Sequence, residues 1–345
     1  MLEGIVMTWR SVSISSRLAA ALLLAAAGCG GRAGTAALPA AVSVSLPLAH
    51  VAAGLPPAII VGNYSGSNVL KFALTAKGNQ APTSVIAGKR TGIQHADNVA
   101  LDTGWRVYAS QNSGKVSVFA SDAHGDAKPM RVISGANTLL SFPIGVAVDS
   151  SGYLYVADCG TGNVKVFAPG AGGNVAPIRV VGLSSGCTIE VAVDKNDQLY
   201  VTSGDNLISV FSSEATGNVL LRTITEAEQK GGIGIRSLAV DARGYVYVGN
   251  LLAKDIRVFS PSAQGNAKPA RKIAGSNTHL GAATGLALDK ANDLYATICK
   301  HCSEGSGSDS IVVFSPGAKG DVKPSRVIAG PHTLLSSPTD LVIRQ

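Results

Sequence analysis

The chain has 345 residues, of which 15% are charged, 40 are glycine and 5 are cysteine, with a formal net charge of +7. Low charge, abundant glycine and the lack of helix-favouring runs of Glu, Lys and Leu exclude a helical bundle and a disordered chain, and point to a turn-rich β protein. The positive balance is too small to name a partner by itself.

Residues 1–28 read as an export signal: Arg10 and Arg17 precede the apolar run Leu18 to Ala27, "GCG" follows, and Met7 offers a second start. That run is about half of the roughly 20 residues a membrane-spanning helix needs, and no later run is longer, so no such helix is expected. The "AAGC" ending at Cys29 resembles the lipobox of bacterial lipoproteins, which implies an acylated Cys29 and a membrane-anchored, exported protein. Ala26 departs from the usual Leu, and plain cleavage after an Ala-x-Ala site stays open. Residues 29–57, rich in Ala, Gly and Pro, read as the lipidated cysteine followed by a flexible tether.

From residue 58 to residue 345 the chain rewrites one unit about every 48 residues. A Val-Phe-type pair ends at Phe72, Phe119, Phe167, Phe211, Phe259 and Phe314. A "VALD"-type strand ends at Asp102, Asp149, Asp194, Asp241 and Asp289, each six positions before a tyrosine, and Leu341 to Arg344 is a worn sixth copy. Each unit predicts four short strands, A to D, with apolar runs of four to six residues as expected between packed sheets. Between C and D runs "A-x-G-N/D-x-x-P", with a glycine for positive φ and a proline opening strand D. Arg131, Arg179, Arg222, Arg271 and Arg326 recur on strand D and read as a charged outer edge that deters sheet-to-sheet pairing.

Six such units predict an all-β, six-bladed propeller of four-stranded blades over residues 58–345. The unit resembles the NHL repeat and the wider TolB-like six-bladed propellers, a resemblance that implies the fold and leaves the function open. The first copy starts at strand B (Ala58 to Gly62) and the last ends with a lone strand A (Asp340 to Ile343), which predicts ring closure by pairing the two.

The B–C and D–A connections vary in length while A–B and C–D hold theirs, which places partner contacts, with a protein or a polysaccharide, on the variable face. Neutral drift of exposed loops is the plain alternative. Cys159, Cys187, Cys299 and Cys302 fall on that face and read as disulfide-bonded in an exported chain; a zinc site and a redox role for "CKHC" are the rival readings.

The first position of strand A is Asn98, Gly145, Glu190, Ser237, Gly285 and Asp340 in the six copies. Asn98, Glu190 and Asp340 could converge as oxygen ligands of one divalent cation, calcium or zinc, or stand as solvated polar groups at the channel rim. Lactonases of the gluconolactonase type, which the fold resembles, hold a metal with Glu, Asn and Asp. Order and spacing differ here, so no catalytic residue carries over. The repeated Tyr and Phe belong to the core, so nucleic acid is not an expected partner. The sequence thus predicts a monomeric, lipid-anchored, extracytoplasmic binding scaffold, with a metal-dependent hydrolase or lactonase as the alternative.

Overall fold

The computed structural model describes residues 54–182, 186–225, 234–300 and 308–345. Blade 1 holds β1 (Ala58–Asn63), β2 (Asn68–Ala73) and β3 (Ser84–Ile86). Blade 2 holds β4 (Ala96–Leu101), β5 (Val107–Gln111), β6 (Lys115–Phe119) and β7 (Arg131–Ser134), and blade 3 β8 (Pro143–Val148), β9 (Leu154–Asp158), β10 (Asn163–Phe167) and β11 (Arg179–Gly182). Blade 4 holds β12 (Thr188–Val193), β13 (Leu199–Ser203), β14 (Leu207–Phe211) and β15 (Arg222–Thr225), and blade 5 β16 (Ile235–Val240), β17 (Val246–Asn250), β18 (Asp255–Phe259) and β19 (Arg271–Ile273). Blade 6 holds β20 (Ala282–Leu288), β21 (Leu294–Cys299), β22 (Ser310–Phe314) and β23 (Arg326–Ala329), and β24 (Pro338–Arg344) follows.

Every sheet is antiparallel with strands in chain order, except that β24 pairs with β1 and completes blade 1. Leu341 faces Val61 and Ile343 faces Ile59, so the chain closes its own ring as the sequence predicts. The inner strands β4, β8, β12, β16, β20 and β24 of successive blades pack against one another around a central channel. Six apolar clusters fill the six seams between blades. In five of them the strand-B tyrosine of one blade meets the strand-C phenylalanine of the next, as Tyr155 meets Phe211 and Tyr295 meets Phe72. This explains why both aromatics recur: each completes a neighbour's core.

The C–D glycines serve the same purpose. Gly78, Gly125, Gly173, Gly217, Gly265 and Gly320 each form a parallel bridge to strand D of the preceding blade. All six take positive φ, from 56° to 75°. In four of the six the residue after the glycine caps a 3-10 turn of that preceding blade: for example, Asn174 Oδ1 accepts the Asn137 N–H at 2.8 Å and Asn79 Oδ1 the His332 N–H at 2.8 Å. These turns, Lys89–Thr91, Ala136–Thr138, Ser276–Thr278 and Pro331–Thr333, lie in the D–A connections.

The outer edge is therefore covered by the next blade's loop rather than guarded by charge, and the strand-D arginines turn inward, contrary to the sequence expectation. Arg271 Nη2 donates to Tyr247 Oη at 2.6 Å and Arg326 Nη2 to Tyr295 Oη at 2.7 Å. In three blades the strand-A aspartate accepts a hydrogen bond from the corresponding tyrosine: Asp102 from Tyr108, Asp149 from Tyr155 and Asp289 from Tyr295, each at 3.1 Å. The other oxygen of Asp149 accepts the main-chain N–H groups of Ser151 and Tyr153 in the A–B hairpin. One aspartate thus shapes the hairpin and fixes the tyrosine six residues on.

Candidate functional site

The propeller axis is where the six inner strands bring one residue each to the same level. At the Asn98 level, Asn98 Nδ2 donates to Glu190 Oε2 at 2.7 Å. Asn98 Oδ1 accepts the Val146 N–H at 3.1 Å, Glu190 Oε1 its neighbour Val191 N–H at 3.0 Å, and Asp340 Oδ2 the Val99 N–H at 3.1 Å. Asn98, Glu190 and Asp340 are all buried. The two glycines at this level supply the room. A Cβ at Gly145 would lie 2.9 Å from Glu190 Oε1, and one at Gly285 would lie 2.7 Å from Asp340 Oδ1.

One step toward the variable face, Arg236 Nη2 spans the channel to Asp97 Oδ1 at 3.0 Å. Sequence reasoning missed this pair. The signal was there: the matching position is Ile144, Ile189, Thr284 or Thr339 in the other blades, so a charge at Asp97 and at Arg236 breaks the repeat. The ion pair and the level beneath it form a polar plug.

Burial pushes Asp340 up to about 7, against main-chain hydrogen bonds from Val99 and Leu341 and the Arg236 charge, with Asp97 adding to the rise. Glu190 is pushed well above the usual carboxylate range, first by burial and then by the Asp340 charge. Burial also raises Asp97, with Arg236 opposing. Desolvation dominates in all three because each carboxyl sits where water is scarce. A cation bound there would have to displace protons and compete with main-chain donors.

On the hairpin side of the plug lies a channel cavity of about 220 Å³, walled by Val, Ala and Leu of the inner strands, with Asn98, Glu190 and Asp340 at its inner end. The three residues singled out as metal ligands do converge. Among the described residues no group of three His, Cys, Asp or Glu side chains is arranged to hold a metal.

On the variable face, Cys159 at the end of β9 and Cys187 before β12 form a disulfide, 28 positions apart, that ties blade 3 to blade 4. Cys299 is disulfide-bonded as well. Cys29 and Cys302 lie outside the described residues. Among the described residues no helix is long and apolar enough to cross a membrane.

The model of the NHL repeat family matches residues 140–167, which comprise β8, β9 and β10 with their two hairpins. No curated protein matches the sequence. Among solved structures, the chain is similar to a protein of unknown function from Bacteroides caccae at TM-score 0.63 and 11% identity, covering 84% of this chain and 100% of that one. It is also similar to the WD40 β-propeller domain of Doa1 at TM-score 0.54 and 12% identity, covering 79% of this chain and 80% of that one. At such identities the likeness concerns the fold alone. The chain is a six-bladed β-propeller that carries an NHL repeat.

Proposed function

We propose that this propeller is an extracytoplasmic, lipid-anchored scaffold that binds a protein or polysaccharide partner through its variable loop face. The observation that carries the reading is the plug. The accepting oxygens of Asn98, Glu190 and Asp340 already hold hydrogen bonds within the protein, as expected of groups that fasten four of the six inner strands together. Rigid blades then leave recognition to the connections, where the Cys159–Cys187 bridge staples one pair of blades and fits an oxidising compartment.

Photo-crosslinking in the cell envelope tests it, with probes at Asn112 and Lys300 on the variable face and at Asp197 on the hairpin face. Adducts confined to the first two support the scaffold. Adducts only at Asp197, or none, overturn it. A Cys29→Ser chain should leave the membrane fraction if the anchor is a lipid.

The convergence of Asn98, Glu190 and Asp340 on a channel cavity favours a second reading, a metal-dependent hydrolase or lactonase. Its test is calorimetric titration of the full chain with calcium and zinc beside a Glu190→Gln variant. One equivalent bound by the natural protein and lost in the variant would move the site to that reading.

A further inference from the structure

Five seams of the ring carry an Asp-Tyr-Arg set around a buried tyrosine, and the seam between blades 1 and 2 does not. Ile343 faces Ile59 in blade 1 as Leu101 faces Val107 in blade 2. Ile60 therefore stands at the tyrosine position and Arg344 at the aspartate position. Lys71 faces Ser84 as Val118 faces Arg131, which puts Ser84 at the arginine position and Lys71 where the other blades have valine.

The exchange changes both charge and volume. A regular set contains one Asp and one Arg, whose charges cancel. Here two cations stand together, Lys71 4% and Arg344 5% exposed, and among the described residues neither forms an ion pair. Lys71 Nζ donates to the Ser121 and Ala123 carbonyls at 3.2 and 2.8 Å. These correspond to the Leu74 and Ala76 carbonyls that take Arg326 Nη1 in the neighbouring seam. The ammonium has thus inherited the arginine's carbonyl cradle. Arg344 donates to the Pro56 carbonyl from Nε and Nη2 and to Ser121 from Nη1. With three donors on Lys and five on Arg, both groups keep N–H bonds to spare.

Where the tyrosine ring and the long arginine are missing, a cavity of about 500 Å³ opens, lined by Lys71, Ser84, Arg344, Leu55, Pro56 and Val85. The Ser84 hydroxyl is buried there and has no hydrogen-bond partner among the described residues. Asp122 and His124, both exposed, stand at the rim. Burial, joined by the Arg344 charge, holds Lys71 down at about 8, with Asp122 opposing. Two buried cations, spare donors and an unpaired hydroxyl around a ligand-sized space call for a negative charge.

We propose that this pocket binds a small organic anion, its carboxylate or phosphate held by Lys71 and Arg344 and its apolar part set against Leu55, Pro56 and Val85. The test titrates the purified full chain with hexanoate and, separately, with inorganic phosphate, by calorimetry and backbone amide NMR. At least one probe should saturate a single site and shift Ser84, Ser121 and Arg344, and Lys71→Met should weaken it at least tenfold. A response to hexanoate alone identifies carboxylate ligands, and one to phosphate alone identifies phosphate esters. As a second variant, Ile60→Tyr with Lys71→Val, Ser84→Arg and Arg344→Asp rebuilds the regular set; it should fold and bind neither probe. The proposal is overturned if neither probe binds the natural chain, if the shifts map elsewhere, or if binding survives in the rebuilt seam.

Discussion

Gly145 leaves open the space that the Glu190 side chain fills: a Cβ there would stand 2.9 Å from Glu190 Oε1, 2.9 Å from its Cα and 2.7 Å from the Ile189 carbonyl oxygen. Two of these three atoms are main chain, so relief requires moving an inner strand. Gly145→Ala should destabilise the propeller by about 1–3 kcal/mol, the usual range for overpacking, and denaturant unfolding measures it. A change below about 0.5 kcal/mol would mean that the strand yields freely.

The plug makes stability depend on pH with a definite sign. Asp340 is raised from 3.8 to about 7, so the folded state binds its proton more tightly than the unfolded chain does. The contribution is fully present below the unfolded value and is lost as pH rises through about 7. Thermal midpoints should fall between pH 5 and pH 8, and Asp340→Asn, which keeps an acceptor for the Val99 N–H, should flatten that slope. An unchanged slope would assign the titration to other groups.

Tyr295 ties Asp289 and Arg326 together through one hydroxyl, at 3.1 and 2.7 Å. Tyr295→Phe keeps the ring in its seam and leaves two charged groups short of a partner, so unfolding free energy should drop by about 1–3 kcal/mol. The matching change at Ile60, Ile60→Tyr alone, restores no such set and should not stabilise. Chemical denaturation of both variants checks the contrast.

The Cys159–Cys187 bridge closes a loop with a sequence separation of 28. Chain-entropy arguments give such a loop about 3–4 kcal/mol. Replacing both residues with alanine should lower the melting temperature by several degrees, and the natural protein should lose at least as much in reductant, which also opens the Cys299 disulfide. Equal melting curves would mean that the blade 3 to blade 4 seam stands without its staple.

The repeat, the strand order within a blade, the positive-φ glycines and the closure of "DLVIRQ" on "AIIVGN" could all be read from the chain. Each depends on local alternation and turn chemistry that recur six times, and repetition averages out the ambiguity of any one copy. Asn98, Glu190 and Asp340 were legible as a set for the same reason, since the period aligns them.

Departures from the repeat were harder to interpret. Arg236 and Asp97 break the pattern at one level, but only the ring brings side chains 139 positions apart to 3.0 Å. The strand-D arginines looked like edge charges because sequence gives a residue's strand and not what covers it. Folding sets a neighbour's glycine loop over the edge and turns each guanidinium onto a tyrosine. The blade 1 seam shows the same limit. The chain spells out Ile60, Lys71, Ser84 and Arg344, but their joint position depends on a strand from each end meeting in one sheet. Sequence by itself determined the blade; which charges meet, and which stay unpaired, was decided by closing the ring, because desolvation and Coulomb energies depend on distances that no local pattern encodes.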